Sequence, residues 1–164
     1  RSSVASRLGL STQGLPIPQH YTEGVVEVMI DAIKNYNEAL TKERLCDWHA
    51  ALFPTGRSGM YKISVAEYRQ GEEPMQIVSG AMGHEKVHYE APSSSVVSHE
   101  MDLFLEWINK ACDIDPVLKA AIAHLWFVAI HPFDDGNGRL TRTITDMMLS
   151  RSDGQRLRFY SMSA

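Results

Sequence analysis

The stretch from Asp115 to Ser150 constrains the fold more than any other, because it reads as two helices joined by a loop with few backbone options. Asp115 is a capping residue and Pro116 suits a first helical position; Leu118, Ile122, Leu125, Trp126 and Ala129 then follow at helical spacing. This helix has to end at His131, since a residue before proline is pushed out of the α region. A second helix is expected from about Asn137 to Ser150. Gly136 and Gly138 flank Asn137 and remove side chains that would keep a ligand off the backbone. The second helix opens at this point, so its unpaired N–H groups face the loop and form an anion site.

Arg139 and Arg142 are three residues apart and share one face of the opening turn. Cations are disfavoured there, because the helix dipole already makes that end positive. Two arginines in this place make sense if a polyanion lies between them and the N–H groups. A triphosphate is the obvious candidate, since guanidinium grips phosphate oxygens in a fork. Without the glycines both arginines would read as solvated surface charges. Asp135 then suits a hard oxygen ligand for Mg²⁺, which uses one or two carboxylates and completes its shell with phosphate and water. His131 titrates near neutral pH and can accept a proton from an attacking hydroxyl.

Elsewhere the pattern is mostly helical. Ser2 to Leu8 reads as the last turns of a helix capped by Gly9, and Ser11 to His20 as a connecting loop. From Glu23 to Tyr36, the residues Val26, Met29, Ile30, Ile33 and Tyr36 recur at helical spacing. Thr41 caps a short helix burying Leu45, Trp48 and Leu52 before Pro54. Gly56 to Gln70 shows no helical period. Met75 to Ser79 and Lys86 to Tyr89 flank a glycine-containing connection and predict a β-hairpin. Serines then precede a helix carrying Val97, Met101, Phe104, Leu105 and Ile108. The expected fold is mainly α with one small hairpin. Residues 1–22 read as the end of an N-terminal region or linker, and residues 23–164 as the core.

The chain's 164 residues suffice for one domain with a real core. A net charge of −4 gives no general basic field for nucleic acid or an anionic membrane, so neither is expected as a partner. The longest apolar stretch, near Ala120 to Ile130, is broken by His124, which argues against a membrane span. Cys46 and Cys112 stand far apart with no CxxC spacing, which fits a reducing compartment and a cytoplasmic setting. His124 is expected to be packed and hydrogen-bonded rather than a ligand. His84 and His88, on the hairpin, are not expected to bind metal, and Trp48, Trp107 and Trp126 read as core. Phe133 reads as a wedge that fixes the loop to the domain.

The segment from His131 to Arg142 resembles the Fic family signature, HPFx(D/E)GNGRxxR, at every specified position. The resemblance implies a compact helical Fic fold with a hairpin flap beside the active loop, and protein adenylyltransferase activity with ATP and Mg²⁺. It further implies that His131 deprotonates a Ser, Thr or Tyr hydroxyl of a protein substrate, which attacks the α-phosphate of ATP and releases pyrophosphate. Asp135 would hold Mg²⁺. Gly136, Asn137 and Gly138 would form the anion hole, and Arg139 and Arg142 would hold the β- and γ-phosphates. The flap, with Met75, Gln76, Ile77 and Val78, would pair with the target's backbone. Trp48 to Pro54 and Arg57-Ser58-Gly59 resemble a bacterial Fic subgroup with an additional N-terminal domain.

Many Fic proteins carry an inhibitory helix, (S/T)xxxE(G/N), whose glutamate pairs with the arginine matching Arg142. Glu23-Gly24 is preceded at that spacing by Gln19, so the motif is missing here and is expected in cis upstream of Arg1. Both ends are expected to be trimmed. Other outcomes on this scaffold are transfer of UMP, phosphocholine or phosphate, or removal of AMP. A catalytically quiet module docking a protein through the flap is the alternative outside enzymes.

Overall fold

The computed structural model describes residues 20–71, 75–79 and 86–153. The expected turns from Ser2 to Gly9, most of the following loop and the Gly80 to Gly83 connection lie outside these residues. The elements run α1 (His20–Lys34), α2 (Lys42–Leu52), β1 (Arg57–Ser58), β2 (Tyr61–Lys62), β3 (Gln76–Ser79), β4 (Lys86–Glu90), α3 (Ser94–Asn109), α4 (Pro116–Ile130) and α5 (Asn137–Asp153). His20, expected at the end of a loop, already belongs to α1.

In α1 the buried face differs from the one the apolar spacing predicts. Val26 is buried as expected, but Val28 and Ala32 are fully enclosed, while Met29 is 40% exposed. Gly24 explains the rotation, because a Cβ there would lie 1.8 Å from the Ala51 carbonyl oxygen. With no side chain at Gly24, the stripe Gly24, Val28, Ala32 presses directly on the backbone of α2. Asp31 then ties the two helices, accepting from Trp48 Nε1 at 2.7 Å and Arg44 Nε at 2.9 Å. Burial pushes the Asp31 carboxyl up, but bonds from Asn35, Trp48 and Arg44, with the Arg44 charge, together hold it below its usual value.

Thr41 caps α2 as expected, its hydroxyl accepting from Arg44 N at 3.2 Å. Leu45, Trp48 and Leu52 are buried, as the pattern requires. The non-helical stretch after it forms a minimal antiparallel hairpin, β1 on β2, with Gly56 and Gly59 at φ 70° and 57°. The later hairpin matches the expectation: Gln76 pairs with Glu90, Ile77 with Tyr89, Val78 with Val87 and Ser79 with Lys86. The register shift between Ile77 and Val78 leaves His88 opposite no residue, a β-bulge. Its Nε2 meets Ser79 Oγ at 2.5 Å. Tyr89 donates its hydroxyl to the Ala129 carbonyl at 2.9 Å, docking the hairpin on the last turns of α4.

Val97, Met101, Phe104 and Ile108 of α3 are buried as expected, and Leu105 is half-buried. Ser93 makes no capping bond to the backbone; its hydroxyl meets Ser95 Oγ at 2.8 Å. Asp115 caps α4 by accepting from Val117 and Leu118 N. The core face of α4, however, is Ala120, Ala123, Phe127 and Ile130, while Leu118 and Leu125 are 59% and 71% exposed. The alanines win because α4 packs along α5, and small side chains let the helix axes approach. His124 is half-buried, with Nδ1 3.0 Å from Thr145 Oγ1, so it is packed and hydrogen-bonded as expected. Trp48 is buried, and Trp107 and Trp126 are packed against the core. Among the described residues no helix is long and apolar enough to cross a membrane.

Candidate active site

His131 is the residue at which α4 stops. Its N–H still reaches the Phe127 carbonyl at 3.1 Å, but its backbone turns left-handed, at φ 52° and ψ 59°. Pro132 forbids another helical turn, and the left-handed step redirects the chain at once. The imidazole is half-buried, and a neutral ring always keeps one nitrogen as an acceptor. Burial first, and the charge of Arg69 with it, pull its pKa below the ordinary histidine value, against the opposing pull of Val128 and Asp135. A neutral ring is therefore available at pH 7.

The loop from His131 to Gly136 is pinned almost residue by residue. Phe133 is fully buried and stacks on His49 with centroids 4.3 Å apart, as the wedge the pattern suggested. Asn137 is 3% exposed; its Oδ1 accepts from Phe133 N at 3.0 Å and its Nδ2 donates to Phe133 O at 2.7 Å. Its side chain therefore closes the loop, and only its backbone N–H is left for a ligand. Asp134 accepts from Ser64 N at 2.9 Å. His49 Nε2 donates to the Asp135 carbonyl at 3.1 Å.

The Asp135 carboxylate is 46% exposed and leans over the start of α5. Ser58 donates to its Oδ2 and Gly136 N to its Oδ1, with Arg139 Nη2 3.9 Å away. Burial pushes its pKa up, but those bonds and the charge of Arg139 hold it below the usual value, so it is ionised. Gly136 has φ 82°, and its carbonyl accepts from Arg139 N and Leu140 N, both at 3.0 Å, which opens the helix. The N–H groups of Asn137 and Gly138 follow, in the turn that has no preceding carbonyls of its own. A Cβ on Gly138 would meet nothing within 4 Å, so this side of the turn is open.

Arg139 lies with its guanidinium 4.5 Å from the Phe53 ring centroid, and Arg142 is exposed. The two arginines, with Val25, Val28, Met29 and Leu52, line a groove of about 200 Å³ between α1 and α5. His131, Asp135, Gly136, Asn137, Gly138, Arg139 and Arg142 thus share one loop and one helix start. The hairpin residues Met75, Gln76, Ile77 and Val78 stand apart from them, at the start of and along β3, and reach the site through Tyr89 and Ala129. Met75 O accepts from Ala91 N at 2.8 Å, and Gln76 Nε2 donates to Glu90 at 2.7 Å.

Four further residues belong to the site: His49, Phe53, Ser58 and Arg69. His49 and Phe53 form its floor, Ser58 orients Asp135, and Arg69 donates to the His131 carbonyl at 2.8 Å. His49, Phe53 and Ser58 lie in Trp48 to Pro54 and Arg57-Ser58-Gly59, the segments whose likeness to a Fic subgroup gave them no site role; Arg69 lies outside both. Among the described residues no group of three or more His, Cys, Asp or Glu could hold a metal ion. A single ionised, half-exposed carboxylate beside an anion site suits Mg²⁺, which takes most of its ligands from phosphate and water.

The model of the Fic/DOC family matches residues 39–149. The protein adenylyltransferase fic-1 of Caenorhabditis elegans is 39% identical over 62 residues, covering 37% of this chain and 12% of that protein. A crystal structure of a Fic domain containing signaling protein from Bacteroides thetaiotaomicron superposes with a TM-score of 0.64 at 20% identity, covering 93% of this chain and 56% of that one. IbpAFic2 covalently tethered to Cdc42 gives a TM-score of 0.51 at 18% identity, covering 92% of this chain and 54% of that one. The fold is thus shared along nearly the whole chain, whereas the curated relative is matched over about an eighth of its length.

Proposed function

This chain belongs to the Fic/DOC family, and from that premise we propose that it transfers AMP from ATP to a Ser, Thr or Tyr hydroxyl of a target protein. The observation that carries the proposal is the pinned loop itself. A neutral imidazole with one acceptor nitrogen stands at one end of it, and a helix start with two arginines stands at the other.

The acceptor nitrogen of His131 takes the proton of the target hydroxyl, whose oxygen forms a bond to the α-phosphorus of ATP. The bond from that phosphorus to the bridging oxygen breaks, and pyrophosphate leaves. N–H groups of the first turn of α5 meet the phosphate oxygens, and the forks of Arg139 and Arg142 meet the β- and γ-phosphates. Asp135, oriented by Ser58, would hold Mg²⁺, which neutralises phosphate charge when bound. Catalysis is then positioning and charge stabilisation in a loop that needs little rearrangement.

β3 has β4 as its one partner among the described residues, which leaves an edge for strand addition by the target through Met75 to Val78. An inhibitory helix in cis is also proposed, with the groove at Arg139 and Arg142 as its docking place. The free Cys46 and exposed free Cys112 support a cytoplasmic setting.

Incubation of the wild type and His131→Ala with each nucleoside triphosphate, Mg²⁺ and candidate targets, read by intact mass, tests the proposal. A gain of AMP in the wild type alone supports it. A gain of UMP, phosphocholine or phosphate would replace it with another transfer, and loss of AMP from a modified target with the reverse reaction. No change with any nucleotide would leave a binding module.

A further inference from the structure

Arg69 is 3% exposed, yet among the described residues its guanidinium is met by carbonyl oxygens and not by a carboxylate. Nε donates to His131 O at 2.8 Å, and Nη2 to Ile130 O at 3.4 Å and to Pro92 O. Its backbone N–H donates to Pro132 O at 2.9 Å. Three consecutive carbonyls, from residues 130, 131 and 132, therefore accept from this one residue. They include the end of α4, where the helix dipole is negative and a cation is favoured.

The place matters because His131 is not glycine. A left-handed backbone is strained for a residue with a Cβ, and such strain persists only where the surroundings over-determine it. Glycine, the usual choice after a helix, would bring no imidazole. We infer that Arg69 is the positioning residue of this site: its fork and backbone hold His131 in the left-handed turn and tie it, through Pro92, to the connection that follows the β3–β4 hairpin. The inference rests on His131 being the base of the proposed transfer.

Arg69 also acts through its charge. Burial first, and the charge of Arg69 with it, lower the His131 pKa, while the Val128 carbonyl and the charge of Asp135 raise it. Burial lowers the Arg69 pKa from its ordinary value, and the charge of Asp134 opposes it; a guanidinium stays charged all the same. Neutral hydrogen bonding alone would not supply this electrostatic part, and lysine would supply charge without the fork.

Arg69→Lys and Arg69→Met separate the two parts in the full chain. Both are expected to lower kcat, on the order of 100-fold for loss of positioning, while KM for ATP changes less than about two-fold. NMR titration of the His131 ring should show its pKa rising in Arg69→Met and staying low in Arg69→Lys. The acid limb of the pH–rate profile should move in the same way. An unchanged kcat in both variants, or kcat and KM for ATP changing in step, would overturn the inference. Thermal unfolding identifies a variant that fails to fold. If neither folds, the Arg69 Nε–H of the wild type decides: slow exchange supports the inference, and exchange as fast as in a free side chain overturns it. If the wild type transfers nothing, the proposed function fails, and the His131 titration in wild type and Arg69→Met still decides whether Arg69 acts on that ring.

Discussion

The ring of His49 joins the active loop to the segment before the hairpin: its Nε2 lies 3.1 Å from the Asp135 carbonyl oxygen while its Nδ1 accepts the N–H of Ala66 at 3.1 Å. Because a backbone N–H can only donate, Nδ1 carries no proton, and the proton must sit on Nε2. Only the neutral ring in this tautomer makes both bonds, and Phe133 stacks on its face.

His49→Ala should therefore destabilise the fold by about 2–4 kcal/mol, since it removes a buried stacked ring and strands a half-buried N–H and carbonyl. His49→Gln, whose amide offers a donor and an acceptor, should recover part of that stability. Urea unfolding measures both. Equal stability of wild type and His49→Ala would show that the ring does not hold the loop.

Stability should also fall on mild acidification. Burial, first of the causes for both residues, puts the pKa of His49 and His131 below 6.5 in the folded chain. Below pH 6.5 the unfolded chain takes up protons that the folded chain refuses, so stability present above 6.5 is lost as pH falls towards the folded values. Each group contributes a slope of up to about 1.4 kcal/mol per pH unit in that window. Asp31 and Asp135, held below 3.8, add their losses only further down, as pH falls through their folded values. Thermal melts from pH 7.5 to 5 should fall in wild type and fall less steeply in His49→Gln. Parallel curves would remove His49 from the account.

Gly24→Ala tests the contact that sets α1. The added Cβ would lie 1.8 Å from the Ala51 carbonyl oxygen, a backbone atom that cannot swing away. Helix propensity favours alanine by about 1 kcal/mol, but separating two packed helices should cost more, for a net loss of about 2–3 kcal/mol. A melting temperature equal to or above that of the wild type would contradict the close approach.

The sequence shows the helix ends, caps and active loop because those depend on local chemistry: Asp115 before Pro116, Thr41 before α2, His131 before Pro132. It misleads on which helix face is buried. Leu118 and Leu125 outweigh Ala120 and Ala123 on any apolar scale, yet the alanines are the buried ones, on a helix packed closely along α5, where small side chains let the axes approach. Gly24 turns α1 in the same way. His49, Ser58 and Arg69 are invisible as site residues for another reason. Their partners lie 86, 77 and 62 positions away, and a buried histidine or arginine has no local pattern that says what it binds.

Gly136→Ala should separate ligand binding from folding. At φ 82° an alanine is strained by roughly 1–2 kcal/mol, and its Cβ would meet Phe53 Cε2 at 2.8 Å. That ring also carries Arg139 on its face, at 4.5 Å. Relief of the contact must therefore move Phe53, Arg139 or the turn whose N–H groups open α5, and each of these belongs to the anion site. ATP affinity should fall by on the order of 10- to 100-fold, while the melting temperature falls by only a few degrees. Phe53→Leu in the same chain removes the steric part and leaves the backbone strain, so it should restore some affinity but not all of it. Calorimetric titration of ATP into the two variants measures the difference. Full affinity in Gly136→Ala would mean that the left-handed turn is not what shapes the phosphate site.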